Sequence, residues 1–117
     1  MATEVSAKAR YVGISAQKTR LVVDLVRGQK ADDALNTLKF LPKTAAHAVY
    51  KVVRTAIADA EENFGLNRNE LYIVKAYADE APTRKWRRFG ARGRFKPILR
   101  RTSHITIVVA EKEGAAS

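Results

Sequence analysis

The sequence predicts an α+β fold: three helices packed on a small antiparallel sheet, with a long basic β-hairpin protruding from it. Three observations carry this. Apolar residues recur at helical spacing through the first half of the chain. β-branched and aromatic residues gather in two stretches of the second half. Between those stretches lies a cationic run whose middle holds the two glycines a chain reversal requires.

Val5, Ala7, Ala9 and Tyr11 alternate with Ser6, Lys8 and Arg10, the period of a short strand with one wet, basic face. Ser15 can accept from the first free amides of a helix. Leu21, Val22, Leu25 and Val26 recur along it and Gly28 ends it, which predicts a helix from Ala16 to Arg27. Asp32 and Asp33 suit a second helix start. Ala34, Leu35 and Leu38 make its stripe and Pro42 stops it, so it runs from Ala31 to Leu41. In a third helix Ala45, Val49, Val52, Val53, Ala56, Ile57 and Ala60 keep one apolar face until Phe64-Gly65. Lys43, His47, Lys51 and Arg54 fall off or beside that stripe and read as a solvated face. After a polar loop at Asn67 to Glu70, Leu71 to Ala78 and Ile98 to Ala110 read as strands.

At 117 residues, 46% of them hydrophobic, the chain has the material for one core, and residues 1–117 are expected to form a single domain. With no cysteine it can hold neither a disulfide nor a thiolate metal site, which fits a reducing compartment. No apolar run is long enough to cross a bilayer, and Met1 to Glu4 lacks the cationic start and apolar stretch of a secretory signal. A cytoplasmic location is expected. The formal charge of +10 points to a polyanionic partner.

That charge is local. Arg84, Lys85, Arg87, Arg88, Arg92, Arg94, Lys96, Arg100 and Arg101 fall within eighteen residues that contain no carboxylate. The whole chain has 22 Lys and Arg against 12 Asp and Glu, so the remainder is nearly neutral at 13 against 12. Trp86, Phe89 and Phe95 are interleaved with the cations, a pairing of guanidinium groups and flat rings that suits a polyanion offering bases to stack on. Residues 81–101 form the arm of the predicted hairpin. At roughly 3.3 Å per residue it reaches about 30 Å, and its self-repulsion predicts that it is mobile until a polyanion orders it. Residues 111–117 are expected to be a flexible tail.

Lys18 and Arg20 on the first helix, with Arg10 before it and Arg27 at its end, suggest a second polyanion surface, with ordinary salt bridging the competing use. The capped start at Ser15 adds free amides that suit a phosphate. His104, beside Arg101, Thr102 and Ser103, either contacts RNA or is a plain surface-strand histidine. Gly90-Ala91-Arg92-Gly93 fits the GxxG loop of a KH domain, but Pro97 obstructs the helix that must follow, which favours a hairpin tip. His47 and His104 lack companions at metal-pair spacing. Asp59, Glu61 and Glu62 lack the partners of a catalytic or magnesium site. No metal, no cofactor and no enzymatic activity are expected. A dimeric DNA-bending protein and a membrane-active cationic protein are the rival readings. The first demands a symmetric interface and the second an apolar helical face beside the charges, and the sequence supplies neither.

The segment Ser15 to Gly28, SAQKTRLVVDLVRG, resembles the opening helix of the bacterial large-subunit ribosomal protein family known as L twenty-two. Ala56 to Asn63 is similar to the end of that family's long helix. Ala91 to Arg94, followed by Ile98 to Thr106, is similar to its arm and returning strand. The resemblance runs from about Val5 to Ala110. It implies a structural role in the ribosome, with large-subunit rRNA, neighbouring ribosomal proteins and the nascent polypeptide as partners, and neither membrane binding nor a homo-oligomer. By family match the arm from Arg84 to Arg101 and the Ser15 to Lys18 region would hold rRNA during subunit assembly. The tip, Arg88, Phe89, Gly90, Ala91, Arg92 and Gly93, would face the peptide exit tunnel. The chain departs from the family pattern at Phe89-Gly90, where Pro-Arg is usual, and at Pro97.

Overall fold

The computed structural model describes residues 3–81, 84–89 and 95–111, with 84–89 and 95–100 given by their backbone. The predicted tip at Gly90 to Arg94 and the tail beyond Glu111 lie outside the described residues.

The chain begins with strand β1 (Glu4–Val12), then α1 (Ala16–Val26), α2 (Ala31–Phe40) and α3 (Thr44–Phe64). A single 3-10 turn at Arg68–Glu70 leads into β2 (Leu71–Glu80), and β3 (Arg84–Phe89), β4 (Phe95–Arg100) and β5 (Ser103–Glu111) complete it. The body sheet has the order β1-β5-β2, with β5 central and antiparallel to both neighbours. β3 and β4 pair only with each other. This is the predicted three helices on a small antiparallel sheet.

The helices cover one face of the sheet. Ile105, Ile107 and Val109 of β5, Val5 and Ala7 of β1, and Leu71, Ile73, Ala76 and Ala78 of β2 meet Val49, Val53, Ala56 and Ile57 of α3 in one core. Small residues dominate the sheet-facing side of α3, which lets the helix axis come close to the strands. Its end is set by Gly65, whose φ of 63° a side chain would resist. There the Leu66 amide closes on the Ala60 carbonyl at 3.0 Å.

Two expectations change. In α1 the buried residues are Ala16, Thr19, Val22, Val23 and Val26, whereas Leu21 and Leu25 stay exposed at 57% and 47%. The sequence admits two stripes there, and the docking of α1 against β2 selects the valine side. The stretch Ile98 to Ala110 is also not one strand: β4 ends at Arg100 and β5 begins at Ser103.

The arm grows from the β2–β5 pair. The Ala81 amide still donates to the Thr102 carbonyl at 3.1 Å. Between the pairs Glu80↔Ser103 and Arg84↔Arg100, however, the outgoing side advances four residues and the returning side three. This one-residue step re-indexes the two sides of the ladder between the body sheet and the arm. The molecule measures 66 × 26 × 21 Å, with a radius of gyration of 17.4 Å against about 13 Å for a compact chain of this length.

Candidate nucleic-acid interface

The arm's register pairs Arg84 with Arg100, Lys85 with Leu99, Trp86 with Ile98, Arg87 with Pro97, Arg88 with Lys96 and Phe89 with Phe95. Two of these six pairs set cation against cation. Like charges directly opposite one another destabilise a two-stranded ribbon, and no acid between residues 84 and 101 relieves them. Arg92 and Arg94 belong to the tip outside the described residues.

At the root of the arm, the start of α1 and the β2–β5 pair enclose a cavity of about 300 Å³ lined by Ser15, Ala16, Gln17, Glu80, Arg101 and Thr102. Ser15 caps α1 as its sequence position suggests, with Oγ accepting from the Lys18 amide at 3.4 Å. The Lys18 and Arg101 side chains are exposed. Ser15, Lys18 and Arg101 thus stand near the point where the two arm strands leave the body.

Arg20 and Arg27 have other partners. Spaced seven residues apart, they share a flank of α1. Arg20 Nε donates to the Ala78 carbonyl at 3.0 Å, and Arg27 donates from Nε at 3.0 Å and from Nη2 to the Ala76 carbonyl. Arg27 Nη1 also meets Asp24 Oδ1 at 2.9 Å. β2 is an edge strand, and these guanidiniums satisfy carbonyls that would otherwise face outward. Further along the same edge the Gly28 amide donates to the Ile73 carbonyl at 2.8 Å, and the Ile73 amide donates to the Gln29 carbonyl at 2.9 Å. A strand edge that could template aggregation is therefore covered by a linker and two arginines.

Ser103 is fully buried, its hydroxyl 3.2 Å from that of Thr19. That position takes its side chain out of reach of an external phosphate and makes it a tie between α1 and β5. His104 lies on the opposite, helix-free face. Its Nδ1 accepts from the Tyr11 amide at 3.1 Å, and the two rings meet edge to face at 4.8 Å between centroids. With Nδ1 accepting, the remaining ring proton sits on Nε2 and forms a fixed donor. Tyr11, with φ of 54°, occupies the irregularity between Ala9 and Val12 in the β1–β5 ladder, next to exposed Arg10. Sequence reasoning missed Tyr11 and Thr19 because each acts across more than eighty residues of chain.

Elsewhere Arg68 Nε donates to Asp32 Oδ1 at 2.8 Å, and this bond holds the guanidinium above its ordinary pKa. Among the described residues no cluster of His, Asp and Glu could cage a metal ion, and no helix is long and apolar enough to cross a membrane.

An α+β body carrying an acid-free cationic ribbon is the architecture of a small basic scaffold protein. The comparisons are specific about which class: the family model described as "Ribosomal protein L22p/L17e" matches residues 7–110, and the chain belongs to that family. It is 54% identical over 110 residues to "Large ribosomal subunit protein uL22" of Thermoanaerobacter sp. (strain X514), covering 94% of this chain and 99% of that protein. It is 49% identical over 109 residues to the protein of the same name from Clostridium novyi (strain NT), covering 93% and 98%. The chain is accordingly a structural, non-enzymatic constituent of the cytoplasmic ribosome.

Proposed function

We propose that the arm binds large-subunit rRNA and that the body anchors it there. The observation that carries this is the register of β3 and β4, which sets Arg84 opposite Arg100 and Arg88 opposite Lys96 in a segment without acids. Such a ribbon is electrostatically self-opposed when free. Phosphates between and around the cations replace that repulsion with attraction and release condensed counterions. Phosphate contacts fix the position of the arm, and stacking on Trp86, Phe89 or Phe95 adds selectivity for irregular RNA.

Around the arm root, Arg10, Ser15, Lys18, Arg101 and the Nε2–H of His104 extend the contact over the body. Arg20 and Arg27 contribute positive potential while holding β2. By family likeness, the tip from Arg88 to Gly93 lines the peptide exit tunnel, where it meets the nascent chain, and neighbouring large-subunit proteins flank the body.

The test is binding of the full chain and of a version lacking residues 84–101 to large-subunit rRNA, together with cosedimentation with large subunits. With six to nine phosphates neutralised, log K against log salt should slope by about −4 to −8. The shortened chain should lose most of that slope and fail to cosediment. Equal affinity and slope for the two chains would overturn the assignment.

A further inference from the structure

The long helix α3 carries a charge pattern that its own stability does not explain. Lys43, His47, Lys51 and Arg54 are all exposed. At 3.6 residues per turn they fall within an arc of about 80° and span roughly 16 Å of the helix, opposite the buried Val49, Val53 and Ala60. Lys39, above the start of the stripe, lines a groove with Lys43 and His47. Lys8 of β1 lines another with Lys51 and Thr55. The body is nearly neutral in total, so this is a separation of charge and not an excess of it.

Two features set the stripe apart from a solvated face of mixed sign. Among the described residues the ion pairs are Arg27–Asp24, Arg68–Asp32 and Lys75–Glu4, and no cation of the stripe takes part in one. The pattern also runs against the helix dipole. The first turn of α3 has no acid and the last turn no base, while Lys43 stands at the positive end and Glu61 and Glu62 at the negative end. Charges placed for the helix alone would be reversed.

We propose that this stripe is a second contact for the phosphate backbone of structured RNA, separate from the arm and reaching from Lys39 to Arg54 with Lys8 beside it. It rests on the rRNA-binding reading above. Lys43, Lys51 and Arg54, with His47 between the first two, face outward along roughly 16 Å of the helix, flanked by Lys39 and Lys8, and the acid nearest the row is Asp59, which lines a groove with Lys51 and Arg54 at its far end. A row of phosphates on one RNA strand is the occupant that such a row fits. The acidic end from Asp59 to Glu62 then marks where the strand leaves the helix.

The test uses the full chain with a large-subunit rRNA transcript and, separately, a plain duplex RNA. The variants are Lys43→Gln with Lys51→Gln, Lys43→Glu with Lys51→Glu, Arg87→Ala with Arg88→Ala, and Glu61→Gln with Glu62→Gln. Both stripe variants should bind either RNA more weakly, the charge-reversed one most, with the salt slope shallower by about 2. Thermal midpoints should hold or rise, because a carboxylate near the start of α3 suits the dipole, so weaker binding cannot be ascribed to unfolding. The Glu61/Glu62 variant should bind at least as well as the parent.

Stripe variants with parental affinity and slope would overturn the proposal. The rRNA reading would stand if the Arg87/Arg88 variant still lost binding, and would fail with it if that variant also bound normally. Unchanged RNA affinity combined with poor incorporation into large subunits would assign the face to a protein partner, and would equally overturn the RNA contact.

Discussion

The edge of the body and the arm use arginine in opposite ways. On α1, Arg20 and Arg27 turn inward to the carbonyls of Ala78 and Ala76, and Arg27 also takes Asp24. In the arm, Arg84 and Arg88 have Arg100 and Lys96 as register partners. The first pair is satisfied within the fold and stabilises it. The second is set cation against cation by its register, which costs a two-stranded ribbon stability. What separates the two is which residues the backbone brings opposite one another, a property that composition does not carry.

Replacing Arg87 and Arg88 by alanine gives the largest expected effect: a loss of rRNA affinity of about ten-fold per cation, with the thermal midpoint held or raised because the Arg88–Lys96 opposition is removed. A fall in stability instead would mean that these residues serve the fold, and the contrast would collapse. Arg27→Ala should do the reverse, lowering unfolding stability in urea by about 1–2 kcal/mol while changing affinity by less than about three-fold. If affinity fell as much as in the arm variant, Arg27 would belong to the interface as well.

Ser15→Ala removes a helix cap at the root of the arm and should cost about 0.5–1 kcal/mol. A simultaneous loss of affinity would sharpen the boundary by placing the start of α1 on the RNA side. The smallest effect is expected at Thr106, buried on the helix-free face of β5 with a hydroxyl that has no hydrogen-bond partner. Thr106→Val, nearly isosteric, should raise stability by up to about 1 kcal/mol in the same urea titration and leave RNA binding unaltered.

Much of the fold was legible because it is governed locally. The apolar face of α3 and its glycine stop, the acidic start of α2 and the alternation of β1 all lie within a few residues of the features they set. What sequence reasoning could not supply depends on distant partners. The stripe of Leu21, Val22, Leu25 and Val26 narrowed to its valines only where α1 met β2. The break at Arg101–Thr102 follows from the register of the arm and not from any turn residue. At the site, the cationic run was evident from composition, whereas the roles of Arg20, Arg27 and Ser103 appeared only with Ala78, Ala76 and Thr19 in place. The basic stripe of α3 was visible as a spacing but read as solvated, since its lack of counter-charges is a three-dimensional fact.

The four-against-three advance between Glu80↔Ser103 and Arg84↔Arg100 has a consequence for how such a protein can change. Strand side chains repeat every second residue, so inserting or deleting one residue at this joint would exchange the two sides of one arm strand relative to the other. The direction in which the arm presents its charges is therefore set in discrete increments, like a key that fits its lock one way up. Substitutions can tune contacts along the arm one at a time, but a change in length at its root would re-index all of them together.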